Sequence, residues 1–517
     1  MRVAKDPCTV YNVFCKKERE TDMNKIKIGW SEVSIVPEGR KIALVGQFYE
    51  RISDTVETPI SVTALAMDSG KDCVVFVSCD LLFVSSDLVR RVRERLPDDC
   101  GFPKDKLIIS AIHTHTSMEY EGYRSDNFAN ALGDLSRLMP EHVKYVALVS
   151  DKDPNIMRGE EARDFLVERI AQAALEAWQT RAEGAYACAF GRAAVGLCRR
   201  VCYDDGSAKM WGDSNSANFT ELESGNDSGI EMMFTYDADK NLTGVIANVA
   251  CPAQVLEHQS LISSDYMGKV KALIRKKYGQ KVGFLGMVSP AGDQCPRDLI
   301  RWVDAEIKLN DPNISRDKII ERRADPSMFD IKGCEKVARR VATEIIYEIE
   351  DVTEYVTEAE IKHKTLDVEL PLRRVTISEK DKAMSAITGF FEKCDGDINY
   401  ADNARLQIHS GTVGRYDLQQ TLDVFNIEVH VLKVGDVAFA TNPFELFLNY
   451  GNQIRARALA KQTFLIQLSC GAFGYLPTEK AEQGSHYSAF VSSGTAGHEG
   501  GEILVRKTLT EINDMWK

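Results

Sequence analysis

The stretch Leu107-Ile-Ile-Ser-Ala-Ile-His-Thr-His-Thr-Ser-Met118 constrains the fold of this chain more than any other. Its apolar first half predicts a short buried strand. Side chains two positions apart in an extended segment point to the same face, so His113 and His115 would stand side by side at the strand end. Two neutral imidazoles there suit a metal, or a metal with a proton-transfer group. A pair of solvated or core histidines is the alternative that this stretch leaves open.

The composition is that of a globular protein and argues against some partners. The 517 residues are 44% hydrophobic and 27% charged, and 64 basic against 77 acidic residues give a net charge of −13. This balance argues against nucleic-acid binding and against docking on an anionic membrane. No run of about 18 apolar residues occurs, so we expect no membrane-spanning helix. The start of the chain has no secretory signal core, and its thirteen scattered cysteines fit reduced thiols, so we expect a cytoplasmic protein.

The apolar patterns predict an α/β fold, with a mixed β-sheet core and flanking helices. We expect a polar N-terminal tail over residues 1–25 and one large catalytic domain over residues 26–517. The expected helices include Ser86–Leu96, Phe165–Trp178, Tyr266–Tyr278, Pro296–Ile307 and Ala338–Ile349. Residues 204–229 are predicted to be loop, and a helical insert over about 378–395 is predicted between the paired strands Glu358–Leu372 and Glu428–Thr441.

Cys295 lies in a context that can activate a thiol. Proline is favoured at the first position of a helix, so Pro296 would make Cys295 the N-cap. The helix dipole and the nearby Arg297 would then lower the pKa of the thiol. That environment suits a nucleophile or a metal ligand, whereas the alternative is a cysteine that only packs at a helix start.

Two other residues are unremarkable alone. Glu445 follows an apolar strand and is predicted in the first turn of a helix, where the dipole favours a carboxylate in any case. Tyr475 lies on a loop built from turn residues. Glu445 and Tyr475 indicate a functional site only in combination with the other stretches.

Together, seven collinear stretches resemble the neutral/alkaline ceramidase family, zinc-dependent amidases that cleave the N-acyl bond of ceramide. They span about residues 25–500 and comprise Gly46-Gln-Phe-Tyr-Glu-Arg51, Ser110-Ala-Ile-His-Thr-His-Thr, Cys198-Arg199-Arg200, Cys251-Pro through Ser264-Asp265, Gly292-Asp-Gln-Cys295-Pro-Arg, Asn442-Pro-Phe-Glu445, and Tyr475-Leu-Pro-Thr through Tyr487.

The resemblance implies a set of site residues. The ligands of one zinc ion would be His113, Cys251, Glu445 and Tyr475. The groups that act on the amide and its oxyanion would be His115, Arg199, Tyr487 and Cys295. Tyr487 follows Tyr475 by twelve residues, the spacing that the family shows.

The chain departs from the family pattern at two of these positions. Cys251 stands where the family has its second histidine, and a thiolate can replace imidazole on zinc. His258 is the alternative ligand. Cys295 stands where the family has a serine, which keeps a nucleophile but changes its hydrogen bonding and redox sensitivity.

The resemblance implies zinc-assisted hydrolysis of an amide. His115 would pass a proton to the leaving amine, while Cys295 either attacks the carbonyl or hydrogen-bonds the attacking water. The immunoglobulin-like domain and the secretory signal of better-known members are not found in this sequence. We therefore expect a small N-acyl substrate, lipid-like compounds included, rather than ceramide itself.

Two rival functions stay open at this point. One is a metal-dependent esterase or phosphatase, and the other is a catalytically degenerate homologue that only binds a ligand. A phosphate substrate would favour a cluster of basic residues near the metal. The sequence does not give the oligomeric state.

Overall fold

Two β-sheets packed face to face form the centre of the molecule. The structure is a computed structural model that describes residues 25–47, 49–121, 131–146, 153–300, 303–304, 322–323 and 330–517. The predicted polar tail over residues 1–25 lies outside the described residues except for Lys25, which bridges to Glu358.

The strands of the described residues are, in chain order, β1 Lys27–Ser34, β2 Ile42–Leu44, β3 Arg51–Ser53, β4 Val56–Thr58, β5 Ser61–Asp68, β6 Cys73–Cys79, β7 Leu107–Ala111, β8 Ala182–Cys198, β9 Arg200–Tyr203, β10 Ala208–Met210, β11 Phe219–Leu222, β12 Asp227–Asp237, β13 Leu242–Val249, β14 Ile262–Ser263, β15 Gly283–Val288, β16 Gln294–Cys295, β17 Val303–Asp304, β18 Arg322–Arg323, β19 Ile361–Pro371, β20 Val424–Val434, β21 Val437–Thr441, β22 Glu445–Leu446, β23 Gln462–Ile466 and β24 Tyr475–Leu476.

The helices are α1 Ser86–Arg95, α2 Ala131–Leu138, α3 Gly159–Gln179, α4 Asp265–Tyr278, α5 Ile331–Glu350, α6 Ile377–Phe391, α7 Tyr400–Leu418, α8 Leu448–Arg457, α9 Glu479–Gly484 and α10 His498–Asp514. Short 3₁₀ turns occur at Lys104–Lys106 and Val491–Ser493.

The large sheet has the strand order β15-β13-β12-β8-β1-β5-β6-β7, with β16 paired to β8. It is mixed, because β13–β15 and β6–β7 are parallel and the remaining neighbours along this order are antiparallel. The smaller sheet has the order β19-β20-β21-β23. The α/β class and the mixed sheet predicted from the sequence are confirmed.

Helices cover the outer faces of both sheets, so the molecule has four layers. Helices α1 and α3 pack on one part of the large sheet and α4 and α5 on another. Helices α8 and α10 cover the smaller sheet. Strand β6 is buried along its whole length because it is covered on both faces, as its continuous apolar run predicts.

The strand that leads to the two histidines, β7, follows α1 in the chain. The Ser85 hydroxyl accepts a hydrogen bond from the Leu88 amide and so caps the start of this helix. Leu88, Val89 and Val92 form its buried face, and the chain then returns through β7, parallel to β6. The C-terminal end of β7 therefore delivers His113 to the edge of the sheet.

Three predictions of local structure are wrong in part. Residues 296–300 are not helical, and the residues before them instead form β16 against β8. The remainder of the predicted helix is either β17 or outside the described residues. Residues 204–229 contain β10, β11 and the start of β12 rather than loop throughout. The insert holds a second long helix, α7, which was not predicted.

Among the described residues, no helix is both long and apolar enough to cross a membrane.

Candidate active site

His113 lies just beyond β7, where the backbone turns with a φ of 69°. Its amide donates to the Leu81 carbonyl at 3.0 Å, and its Nδ1 is 2.9 Å from the Leu82 carbonyl oxygen. A carbonyl oxygen only accepts, so Nδ1 carries the hydrogen and Nε2 presents a lone pair. Burial lowers the pKa of His113, which favours this neutral form.

His115 is held in a similar way. Its Nδ1 donates to the Gly46 carbonyl at 3.0 Å, and its buried Nε2 has no hydrogen-bond partner. Gly46 has a φ of 98°, and a Cβ there would lie 2.5 Å from Nδ1 of His115, so a larger residue would displace the ring. Burial lowers the pKa of His115 well below its usual value, and the nearby His113 and Arg51 add to the effect. The side chain is therefore an unprotonated base.

Glu445 and Tyr475 are opposite each other on two short parallel strands, β22 and β24. The Oε2 oxygen of Glu445 lies 3.4 Å from Nε2 of His113, and the same carboxylate interacts electrostatically with the Tyr475 hydroxyl. Burial and then Glu445 raise the pKa of Tyr475 well above its usual value. The prediction that Glu445 occupies the first turn of a helix is wrong, because α8 begins only at Leu448.

Arg199 lies at the centre of these groups. It follows β8 and is 2% exposed. Its Nη2 donates to the Gly292 carbonyl at 2.8 Å and to the Tyr475 hydroxyl at 3.4 Å, and it lies 3.8 Å from the Glu445 carboxylate. Its Nη1 donates to Oε1 of Gln254 at 3.0 Å. The planar fork of the guanidinium thus joins four segments of the chain.

Tyr487 closes the outer side of the site. Its ring centroid is 5.6 Å from that of Tyr475, and the two rings meet edge to face at an angle of 73°. Although 41% of the residue is exposed, burial of its hydroxyl raises the pKa to about 12, so the group is a hydrogen-bond donor at neutral pH. Tyr487 is thus the point at which the site reaches solvent.

The loop that carries Tyr487 is anchored by Arg200, which is fully buried. Arg200 forms a two-point ion pair with Glu223, with contacts of 2.5 and 3.0 Å. The same guanidinium donates to the carbonyls of Tyr487 at 3.0 Å and Ser485 at 2.8 Å. A buried charge satisfied at this many points fixes the loop against β9.

Cys251 lies in the turn after β13 and is fully buried. Burial raises the pKa of its thiol well above the usual value. Among the described residues, one group of three His, Cys, Asp or Glu side chains has its ligand atoms within 4.8 Å of one another. It consists of Glu428, His430 and Cys470 and lies elsewhere in the molecule. Cys251 and the alternative His258 thus do not complete a close group with His113 and Glu445.

Cys295 is near the site but in an environment opposite to the predicted one. It lies in β16 rather than at a helix N-cap, and it is fully buried. Burial raises the pKa of its thiol to about 12, although Arg199 and Arg297 act in the other direction. The predicted lowering of this pKa is wrong, because no helix dipole is present and solvation of a thiolate is lost.

Several functional contacts were not predicted. Gln254 and Gly292 lie inside stretches that the sequence singles out, but nothing in their residue type indicates that they hold Arg199. The Arg200–Glu223 pair joins a predicted site stretch to a segment predicted to be loop. A Cβ on Gly292 would lie 2.3 Å from the Glu445 carbonyl oxygen, so this motif needs a glycine for close packing.

The crystal structure of neutral ceramidase from Pseudomonas aeruginosa superposes with a TM-score of 0.63 at 14% sequence identity, over 95% of this chain and 74% of that chain. This protein has the neutral ceramidase fold. A ceramidase complexed with C2 gives a TM-score of 0.63 at 13% identity, over 95% of this chain and 75% of that chain. The resemblance seen in the motifs is thus confirmed for the ceramidase fold.

No protein-family model matches the sequence. No curated protein matches it either.

Proposed function

We propose that this protein is a zinc-dependent hydrolase that cleaves the N-acyl amide bond of a small molecule other than ceramide. One observation supports this most strongly. Side chains from four separate stretches converge at one place: His113, His115, Arg199, Glu445, Tyr475 and Tyr487. The fold shared with neutral ceramidase adds support, because the converging residues are those that the motif resemblance implies.

The donor atoms fit a cation. Nε2 of His113 and Oε2 of Glu445 are both hydrogen-bond acceptors, yet they lie only 3.4 Å apart. Two ligands of one tetrahedral zinc, each about 2.1 Å from the metal, are separated by about 3.4 Å. We propose that these atoms and the Tyr475 hydroxyl hold zinc. When bound, zinc would polarise the carbonyl or lower the pKa of a water molecule to about 7.

We propose Cys251 as the fourth ligand. Because its sulfur does not form a close group with His113 and Glu445 among the described residues, it would have to move toward them and lose the thiol proton. Because burial holds the pKa of Cys251 high, the thiol is neutral without a cation nearby. A cation would stabilise the thiolate, and binding would release a proton. His258 remains the alternative, and metal content of the two single variants distinguishes them.

The side chains of the chain itself supply proton transfer and charge stabilisation. Nε2 of His115 is buried, unprotonated and without a partner, so it can take a proton from the attacking water. It then returns that proton to the amine nitrogen as the C–N bond breaks. The Arg199 guanidinium and the Tyr487 hydroxyl are donors that can stabilise the oxyanion formed on the carbonyl oxygen.

Cys295 is more consistent with a hydrogen-bonding role than with attack. A pKa of about 12 keeps its thiol protonated, and its Sγ lies 3.4 Å from the carbonyl oxygen of Arg297. No described histidine or carboxylate hydrogen-bonds the thiol to take its proton. We propose that water attacks the carbonyl and that Cys295 helps to position it.

Phosphate esters are poorer candidate substrates. The buried guanidiniums of Arg199 and Arg200 are engaged by protein oxygens and carboxylates. A phosphate would have to displace these partners. We also propose a cytoplasmic location, because the described cysteines are free thiols.

The test is hydrolysis of a panel of N-acyl amides, with matched esters, by the zinc-loaded protein. His113→Ala and Glu445→Ala should each lose about one zinc equivalent and lower kcat/KM by at least about 100-fold, or roughly 2.7 kcal/mol. His409→Ala, a half-buried histidine in α7, is the control and should keep both properties.

Zinc content and amide hydrolysis equal to wild type in both folded variants would reject the metal centre. If the protein hydrolyses esters but not amides, the proposed metal centre is kept and the proposed amide substrate is rejected. Zinc binding at His113 with no turnover of any acyl compound would favour the ligand-binding homologue.

A further inference from the structure

A second group of ligand-type side chains lies beside β7, the strand that leads to His113. Glu428 and His430 are two positions apart on β20, so their side chains share one face of that strand. Cys470 follows β23, and its amide donates to the Ile109 carbonyl in β7 at 2.9 Å. The ligand atoms of these three residues lie within 4.8 Å of one another. We refer to them as the Glu428–His430–Cys470 cluster.

Hydrogen bonding fixes the tautomers of the two buried histidines in this region. Nδ1 of His363 is 3.1 Å from the Cys73 carbonyl oxygen, which only accepts, so that nitrogen carries the hydrogen. A His363 ring with its hydrogen on Nδ1 alone presents Nε2 as an acceptor. Nδ1 of His430 lies 2.9 Å from that Nε2 and must therefore donate to it. Nε2 of a neutral His430 is left with a lone pair.

That lone pair faces an anion. Nε2 of His430 lies 2.8 Å from Oε1 of Glu428 and 3.6 Å from Sγ of Cys470. Arg93 contacts both oxygens of Glu428 at 2.7 Å, the two-point geometry in which a guanidinium binds a carboxylate. An imidazole nitrogen and a carboxylate oxygen at 2.8 Å are held together by a proton or by a bound metal ion.

The distances suit a metal ion. For zinc bonds of about 2.3 Å to sulfur and 2.0 Å to nitrogen, tetrahedral geometry separates the two ligand atoms by about 3.5 Å. The observed separation of Sγ and Nε2 is 3.6 Å. The oxygen-to-nitrogen separation of 2.8 Å would open by about half an ångström on binding. Thiolate, imidazole and carboxylate together are a donor set that zinc accepts.

The charge balance and the surroundings also suit a metal ion. A divalent ion would replace two protons, one on Nε2 of His430 and one on the Cys470 thiol, so the net charge of the cluster with Arg93 would not change. Arg93 and His363 would orient the ligating carboxylate and imidazole, the role that neighbouring hydrogen-bond partners play around metal sites. A cavity of about 400 Å³ is lined by Glu428 and Cys470 and provides access and space for a water ligand.

We propose that Glu428, His430 and Cys470 bind a divalent transition metal, zinc by preference, at a site separate from the one around His113. Its fourth position opens on the cavity. The site ties together β20, β7 and the segment after β23. Because β7 leads to His113 and Cys470 precedes Tyr475 by five residues, a metal here would stiffen two supports of the candidate active site.

The test is metal binding by full-length variants. The apo protein is titrated with Co²⁺, whose bond to a thiolate gives a charge-transfer absorption band, and zinc content is then measured after reconstitution. Cys470→Ala and Glu428→Gln should each lose about one equivalent of zinc relative to wild type, and Cys470→Ala should also lose the part of the thiolate absorption that Cys251→Ala keeps. Cys100→Ala, another buried cysteine, is the matched control and should bind as wild type.

The same titration separates this site from the proposed active site. His113→Ala should lose a different equivalent and keep the thiolate band of Cys470. Retention of the full zinc content in Cys470→Ala and Glu428→Gln would overturn the proposal, whatever happens in His113→Ala.

A measurement on the wild-type protein keeps the proposal testable if the variants do not fold. Anomalous diffraction at the zinc edge should give a peak among the three side chains. Absence of that peak from zinc-soaked crystals, together with an imidazolium signal for His430 in nitrogen NMR, would show that a second proton supplies the charge.

Discussion

At the scale of single residues, Arg199 determines how the candidate site is assembled. Five N–H groups in a rigid fork let one side chain hold Gly292, Gln254 and the Tyr475–Glu445 pair at once. A lysine ammonium has the same charge but not this geometry. The sequence identifies Arg199 as a site residue through its motif, whereas its partners become visible only in three dimensions.

Substitution of Cys295 tests whether its thiol acts or only packs. Cys295→Ser keeps a hydrogen-bond donor and should retain hydrolysis of the N-acyl substrate. Cys295→Ala removes the donor and should lower kcat at least about tenfold, or roughly 1.4 kcal/mol of barrier. Steady-state kinetics of the three proteins provide the measurement. Equal kcat in all three would mean that Cys295 contributes packing alone.

Iodoacetamide gives an independent check on the same residue. Because Cys295 is buried and its pKa is about 12, it should react no faster than the other buried cysteines. Preferential labelling of Cys295 would contradict its buried, protonated state.

His486 should make stability depend on pH. Burial lowers the pKa of His486 to about 4, and its Nδ1 accepts a hydrogen bond from the Met210 amide. The unfolded chain takes up a proton near pH 6.5, whereas the folded chain does so only near pH 4, so folding stability falls as pH drops through this window. We expect His486 to account for roughly 2 kcal/mol of that loss.

Urea unfolding at several pH values measures this effect. His486→Asn keeps an acceptor for the Met210 amide but cannot titrate, so its unfolding free energy should fall less between about pH 6.5 and pH 4. The same pH dependence in wild type and variant would assign the effect to other groups.

At the scale of elements, the β22–β24 pair explains how Glu445 and Tyr475 meet. These strands have two residues each, and no periodicity can show elements so short in a sequence. Long apolar patterns are different: α1, α4 and β19 lie close to where their patterns predict them. The missed helix α7 has weak apolar periodicity, because it buries few large side chains such as Leu406 and Val413.

The wrong helix after Cys295 has a physical cause as well. Proline at a first helical position is a local preference of modest strength. Pairing of β16 with β8 is a tertiary interaction that satisfies backbone groups and places Cys295 opposite Leu197. The pairing of β16 with β8 outweighs the local helix preference of Pro296. As a result, the Cys295 thiol is buried rather than placed at a helix start.

Gly494 packs directly against the backbone of Tyr475 in β24, so its substitution should disturb the candidate active site. A Cβ at this position would lie 1.9 Å from the Tyr475 carbonyl oxygen, so Gly494→Ala must displace one of the two segments. We expect at least tenfold weaker zinc binding at the His113 site and a comparable loss of kcat/KM. Gly389→Ala in α6, where no atom would lie within 4 Å of the Cβ, should leave both unchanged.

Metal titration and kinetics of the two variants decide this point. If Gly494→Ala binds zinc and turns over substrate like Gly389→Ala, then the position of Tyr475 is not set by this contact.

At the scale of the whole molecule, the two sheets share one core. Phe76 of the large sheet packs against Phe439 of the smaller sheet at 5.1 Å between ring centroids, and Phe439 stacks on Phe464 at 4.4 Å. The site draws residues from both sides of this core, with His113 after the large sheet and Glu445 after the smaller one. The order of motifs along the chain predicts a single domain, but it could not show that two sheets divide the site between them.

Removal of Phe439 should therefore weaken the entire molecule rather than one part. The side chain is fully buried between the sheets, so Phe439→Ala should lower the free energy of unfolding by about 3–5 kcal/mol. Phe190 lies on β8 and is 46% exposed, so Phe190→Ala should change the free energy of unfolding by less than about 0.5 kcal/mol. Circular dichroism and tryptophan fluorescence both monitor the urea unfolding of the two variants. Because Trp30 lies in the large sheet and Trp516 packs beside the smaller one, coincident curves are expected. Two separate transitions, with only one shifted by Phe439→Ala, would show that the sheets unfold independently and that the site spans two cooperative units.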